Sequence, residues 1–204
     1  QINALRLRQA KNMMVATLLS VGSPMLLMGD ELLRTQRGNN NGYCQDNATC
    51  WMNWLPNARG QEMFRFMKEL IQYRKHLFQR PEQESMPLSL TEILRHSEIC
   101  WHGVNAAQPD FSPHSHAIAM SALSSETRLA LYVLFNAYWE PLEVELPPPP
   151  HNPTGNWLRL VDTSLPAPDD INSHGRPLQE VGPTYRVDAR SIVLLVCASE
   201  PAQD

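Results

Sequence analysis

Between residues 99 and 196 seven short apolar runs follow one another, at 99–104, 117–123, 129–135, 142–146, 157–161, 185–187 and 192–196, with turn residues and prolines between them. Short runs bounded by turn chemistry read as β-strands, and a strand leaves backbone donors and acceptors on both edges that only neighbouring strands satisfy. A sheet is therefore forced on this half of the chain. Within 129–135, Leu129, Leu131, Val133 and Phe135 alternate with Ala130, Tyr132 and Leu134, the two-residue period of an antiparallel strand. Seven such strands with proline-rich connections predict an antiparallel β-sandwich of about 120 residues, able to fold as a unit from about residue 88 onward. The tetraproline 147–150 reads as a stiff connection inside it rather than as a ligand for an SH3-like module.

Before residue 80 the period changes. From 3 to 20 apolar residues recur at helical spacing (Leu7, Met14, Leu18), and Gly22, Ser23 and Pro24 then break the helix. Residues 25–28 read as a short, fully buried strand. A second helix is predicted over 61–77, where Met63, Phe66, Met67, Leu70, Ile71 and Arg74 form one stripe. The chain is thus expected to be an α+β composite: a helix-strand-loop-helix segment over 1–80, then an all-β antiparallel sandwich over 81–204.

Composition removes several classes of function. Seventeen basic and 21 acidic residues give a formal net charge of −4 with no long run of either sign, which argues against nucleic acid and against a polybasic membrane anchor. The most apolar stretch, 13–28, is too short and too broken to span a bilayer. Cys44, Cys50, Cys100 and Cys197 lack CxxC spacing, so neither a zinc site nor a disulfide framework is expected; free thiols in a reducing, cytoplasmic compartment are. No cofactor is implied. The chain opens on Gln1 rather than Met, and is read as a piece of a longer protein.

A small neutral ligand fits the segment between the helices, GDELLRTQRGNNNGYCQDNATCWMNWL at 29–55. Sugars are held by planar amides and carboxylates that match vicinal hydroxyls, and by aromatic faces that cover the apolar side of a pyranose ring. Asn40, Asn41, Tyr43, Asp46 and Trp51 are the candidate substrate-binding residues, with Asn39, Gln45, Asn47 and Trp54 beside them. The competing reading is that these amides bond the loop's own backbone, as turn residues do. Asp30 and Glu31 are read as anchoring the loop or pairing with Arg34 or Arg37. His114 and His116 have no third ligand at metal-site spacing. Of Trp101, Trp139 and Trp157, two are expected in the core, against the alternative of a sugar-binding strip.

The strings GSPMLLMGDE, RTQRGNNNGYCQDN and WMNW, followed by LYVLFNAYWEPLEVELP and WLRLVDTSLP, resemble the isoamylase-type, glycogen-debranching branch of the α-amylase superfamily across nearly the whole chain. The resemblance implies that 1–80 holds the last βα unit of a TIM barrel and that 81–204 is the C-terminal sandwich. It implies a parent hydrolase of α-1,6 branch points in glycogen or limit dextrins, with branched α-glucan as partner. In that superfamily the catalytic Asp, Glu and Asp stand on the fourth, fifth and seventh barrel strands, so no residue here inherits a catalytic role and the chain alone is expected to be inactive. A free-standing glucan-binding module and a fragment of a sister hydrolase, such as a trehalose-releasing enzyme, are the alternatives. An isolated barrel strand at 25–28 must also be covered; two helices cannot satisfy a strand's backbone edge, so self-association of two copies through residues 1–80 is expected, with the sandwich outside the contact.

Overall fold

The computed structural model describes residues 2–20, 22–77, 97–124, 129–150 and 155–198. Two helices open the chain. Helix α1 spans Ile2–Leu19 and buries Lys11, Asn12, Val15 and Leu18. Helix α2 spans Ala58–Leu77. Asn57 caps its start, its Oδ1 accepting the Gly60 N–H at 3.1 Å. Met63, Phe66, Met67 and Leu70, spaced for one helical face, are all buried. Arg74 lies close to this stripe for a different reason. Its guanidinium donates to the carbonyls of Leu18, Ser20 and Gly22, satisfying acceptors that the end of α1 leaves unpaired.

Among the described residues eight strands follow: β1 (Ser97–His102), β2 (Ala117–Ser124), β3 (Leu129–Asn136), β4 (Leu142–Glu145), β5 (Trp157–Asp162), β6 (Gln179–Val181), β7 (Thr184–Val187) and β8 (Ser191–Ala198). Six form one sheet in the order β1-β2-β3-β8-β5-β6, and β4 pairs with β7 in a second. All the pairings are antiparallel. The larger sheet separates two cores. On one face Val133, Ile192, Leu194 and Val196 meet Val15 and Leu18 of α1 and Met63, Phe66, Met67 and Leu70 of α2. On the other, Ala130, Tyr132, Leu134, Val193 and Leu195 pack with Val144, Leu146 and Val187 of the smaller sheet and with Trp157. β3 and β8 alternate between two apolar environments, which is why their sequences show no polar face. The tetraproline connection is tied down where Trp157 Nε1 donates to Pro147 O at 2.7 Å.

The seven expected strands are present, and β6 is an eighth. The strand expected at 25–28 is absent. Met25 is 91% exposed and Met28 62%, and the run makes no ladder. Two helices cannot supply a strand's backbone partners, and here their apolar faces are occupied by the large sheet, so among the described residues no element covers 25–28. The boundary expected at 80/81 lies outside the described residues.

One cluster of charges is buried where the helices meet the sheet. Asp170 is fully buried; its Oδ2 accepts Lys11 Nζ at 2.6 Å, and its Oδ1 accepts Arg65 and the Ile171 N–H. Lys11 Nζ also meets Glu62 Oε1 at 2.6 Å. Removing one partner of such a buried pair strands the other charge and costs about 3–5 kcal/mol. Asp170→Ala should lower the free energy of urea unfolding by an amount in that range. A loss below about 1 kcal/mol would show that Lys11 and Arg65 find water instead.

Candidate functional site

The loop from Gly29 to Asn57 is built on backbone conformations that its glycines permit. Gly29 has φ 102°, and a Cβ there would lie 2.7 Å from Met52 Sδ and 2.8 Å from Arg34 Cβ. Asp30 to Leu32 form a single 3-10 turn, followed by Leu33 at φ 57°. Arg34 Nη2 donates to Cys50 O at 3.0 Å, and Cys50 Sγ donates to Gly42 O at 3.1 Å, so the far limb of the loop is pinned back on the near one.

The amides do two kinds of work. Asn39 Oδ1 accepts Asn41 N at 2.9 Å, Asn41 Oδ1 accepts Tyr43 N at 3.1 Å and Asn47 Oδ1 accepts Thr49 N at 2.9 Å. These are Asx turns, so the turn-forming reading holds for three of the asparagines. The Asn40 side chain is exposed and unbonded among the described residues, and Tyr43 is 93% exposed. Asp46 Oδ1 accepts Trp51 Nε1 at 2.8 Å, which orients an indole whose surface is 62% exposed. Of the five candidate residues, the structure joins Asp46 to Trp51 directly and strings Asn40, Asn41 and Tyr43 along the tip of the same loop.

Two contiguous cavities lie beneath this loop. One, of about 470 Å³, is lined by Arg6 and Leu7 of α1, Arg34 and Thr35 of the loop, and Asn57 and Arg59 at the start of α2. The other, of about 210 Å³, shares Arg34, Thr35 and Asn57 and continues to Trp51 and Asn53. Asn40, Asn41 and Tyr43 line neither. Asp30 and Glu31 anchor the loop, but not through arginines. Asp30 Oδ2 accepts Leu27 N at 3.2 Å and Glu31 Oε2 accepts Gly29 N at 2.9 Å.

The other sequence candidates separate. Trp157 is 2% exposed, whereas Trp101 and Trp139 are 45% and 60% exposed, so one of the three is core and not two. Trp139 follows β3 at a turn whose rings stack on one another instead of entering the sheet. His116 lies flat on Tyr138, with ring centroids 5.4 Å apart, and no group of metal-ligating side chains converges among the described residues.

Sequence reasoning missed a buried pair in the sandwich. His102 Nε2 lies 2.8 Å from Ser121 Oγ, and His102 Nδ1 accepts the Ala107 N–H at 2.8 Å. An Nδ1 that accepts must be unprotonated, so Nε2 carries the proton and donates to Ser121. The pair is therefore not a base poised on a nucleophile. Burial holds the His102 pKa below its ordinary value, and a proton on Nδ1 would break the Ala107 bond. The unfolded chain then binds that proton first as pH falls, so this contribution to stability is present above about pH 6.5 and declines below it. The urea midpoint should drop between pH 7 and pH 5, and by less in His102→Gln; equal drops would remove His102 as the cause.

With the geometry laid out, comparison with known proteins is specific. The chain is 35% identical over 193 residues to isoamylase 3, chloroplastic, of Oryza sativa subsp. japonica, a match covering 94% of this chain and 23% of the relative. It is 32% identical over 202 residues to the isoamylase of Flavobacterium sp, covering 93% and 26%. Residues 100–190 match the family described as isoamylase 1-3, C-terminal. Over these residues the chain is similar to the isoamylases, and the matched family is their C-terminal part. The chain spans about a quarter of the length of these relatives. In fold it is similar to the pullulanase from Anoxybacillus sp. LM18-11, with a TM-score of 0.60 and 18% identity over 94% of this chain and 23% of that one.

Proposed function

We propose that this chain is the C-terminal portion of a glycogen-debranching hydrolase that cleaves α-1,6 branch points in glycogen or limit dextrins. In this reading it contributes substrate-binding surface and a stabilising sandwich, and no catalytic carboxylate. The observation that carries it is the isoamylase similarity over 94% of the chain, which takes in the Asn-rich loop as well as the sandwich. The loop supports it chemically. An indole held by Asp46, the open Asn40 amide and the Tyr43 phenol are the group types that engage a pyranose. Asp30 and Glu31, the adjacent carboxylates, are committed to backbone N–H groups. A cytoplasmic setting belongs to the same proposal.

The exposed run 25–28 has its place here as the eighth strand of the parent's barrel, whose neighbouring strands would supply the ladder that the described residues lack. Without them, two copies meeting through residues 1–80 would cover it. Light scattering at micromolar concentration should then show a species larger than a monomer, reduced to monomer by Leu27→Asp. A monomer of the unsubstituted 204-residue chain would refute that association.

The main reading is tested by two assays on the chain. It should co-sediment with glycogen while releasing no reducing ends from amylopectin. Trp51→Ala should weaken the co-sedimentation several-fold, since it removes the exposed indole face that covers the apolar side of a pyranose in this reading. Release of reducing ends by the chain itself would overturn the assignment of catalysis to other parts of the parent.

A further inference from the structure

We propose that the groove between α1, the 3-10 turn and the first turn of α2 binds a sugar phosphate, with the phosphate among Arg6, Arg34 and Arg59 and the pyranose ring beside Trp51. The proposal rests on the glucan-binding reading above and adds an anionic group to the ligand.

Charge is the first argument. A chain of net charge −4 places three arginines around one cavity of about 470 Å³ whose lining contains no carboxylate. The acidic residues nearest in sequence are engaged elsewhere: Asp30 and Glu31 with the amides of Leu27 and Gly29, and Glu62 with Lys11. Among the described residues neither Arg6 nor Arg59 makes an ion pair or a side-chain hydrogen bond, and Arg34 uses one nitrogen on Cys50 O. Three guanidiniums lining one concavity give it a positive potential that favours an anion, and guanidinium forks match phosphate oxygens in pairs. Asn57 and Thr35 add uncharged polar groups to the lining.

Continuity is the second argument. The adjoining cavity of about 210 Å³ shares Arg34, Thr35 and Asn57 with the first and is also lined by Arg37, Trp51 and Asn53, which the first does not touch. One ligand can therefore place an anion at one end and a ring at the other. Trp51 is already oriented by Asp46, so little ordering accompanies stacking. The shared chemistry is a glucosyl phosphate monoester, carried either by a free hexose phosphate or by a phosphorylated residue of a glucan chain.

Calorimetry on the 204-residue chain tests this with glucose 6-phosphate, inorganic phosphate, glucose and a phosphate-free maltooligosaccharide. Glucose 6-phosphate should bind at least tenfold more tightly than inorganic phosphate or glucose. Arg6→Gln and Arg59→Gln should each lose at least tenfold for glucose 6-phosphate with the maltooligosaccharide affinity kept. Lys68→Gln, which removes the same charge from an exposed position on α2, should lose nothing. Preference for phosphorylated over phosphatase-treated amylopectin would support the proposal with a chain-borne phosphate; retained glucose 6-phosphate binding without that preference would support it with the free sugar. Equal affinity for inorganic phosphate and glucose 6-phosphate would overturn the proposal, as would equal losses in Arg59→Gln and Lys68→Gln. If the maltooligosaccharide binds and no phosphate effect is seen, this proposal fails and the glucan-binding reading stands; if neither binds, both fail.

Discussion

The contact between the apolar stripe of α2 and the large sheet organises everything else. Met63, Phe66, Met67 and Leu70 are removed from water against Val133, Leu194 and Val196, and a fully buried side chain of this size contributes about 1.5–3 kcal/mol. This burial also dictates the charged cluster beside it. Lys11 sits 3% exposed at the edge of the stripe, with its ammonium 5.5 Å from the centre of the Phe66 ring, and is tolerable there only because Asp170 and Glu62 accept from it. Asp170 is in turn placed by backbone: its carbonyl accepts Asp162 N at 3.0 Å, and Ile171 bridges to Val161. A register error in β5 would withdraw the carboxylate that Lys11 needs. The ion cluster thus specifies how the helices seat on the sheet, while the apolar contact supplies most of the driving force.

Most of the architecture was legible because period and burial agree. The second helix and the central strands declare themselves through residues that the fold buries at the spacing their geometry requires. What escaped did so where that agreement breaks. Strand β6, Gln179–Val181, is an edge of exposed and half-exposed residues with no apolar alternation to mark it. The inner face of α1 carries Lys11 and Asn12, polar side chains that look solvent-facing until their partners, Asp170 and Thr163, arrive from more than 150 residues away. The run 25–28 is the opposite case. Its composition reports the environment of a buried strand, but a strand is a property of a pair, and no partner for it lies among the described residues.

The candidate site was legible in kind and less so in arrangement. Amides and rings at 39–54 marked a polar loop with aromatic surface, and the Asp46–Trp51 bond gives that surface a fixed element. The convergence of Arg6, Arg34 and Arg59 was invisible, because it joins three separate parts of the chain and follows no motif. The same holds for His102 and Ser121, which the register of β1 on β2 brings together.

The grip of Arg74 on the carbonyls at the end of α1 sets what this scaffold can become. Because one side chain of α2 holds the last turn of α1 in place, the spacing of the two helices does not depend on the long segment that joins them in sequence. Part of that segment is itself seated on the core, where Leu33 packs against the cluster shared by the two helices and Leu32 lies against Gly60 of α2, so freedom to vary belongs to its exposed tip and not to its ends. A chain that keeps this arginine keeps the seating of its two helices, and changes at the exposed tip of the loop between them leave that frame in place.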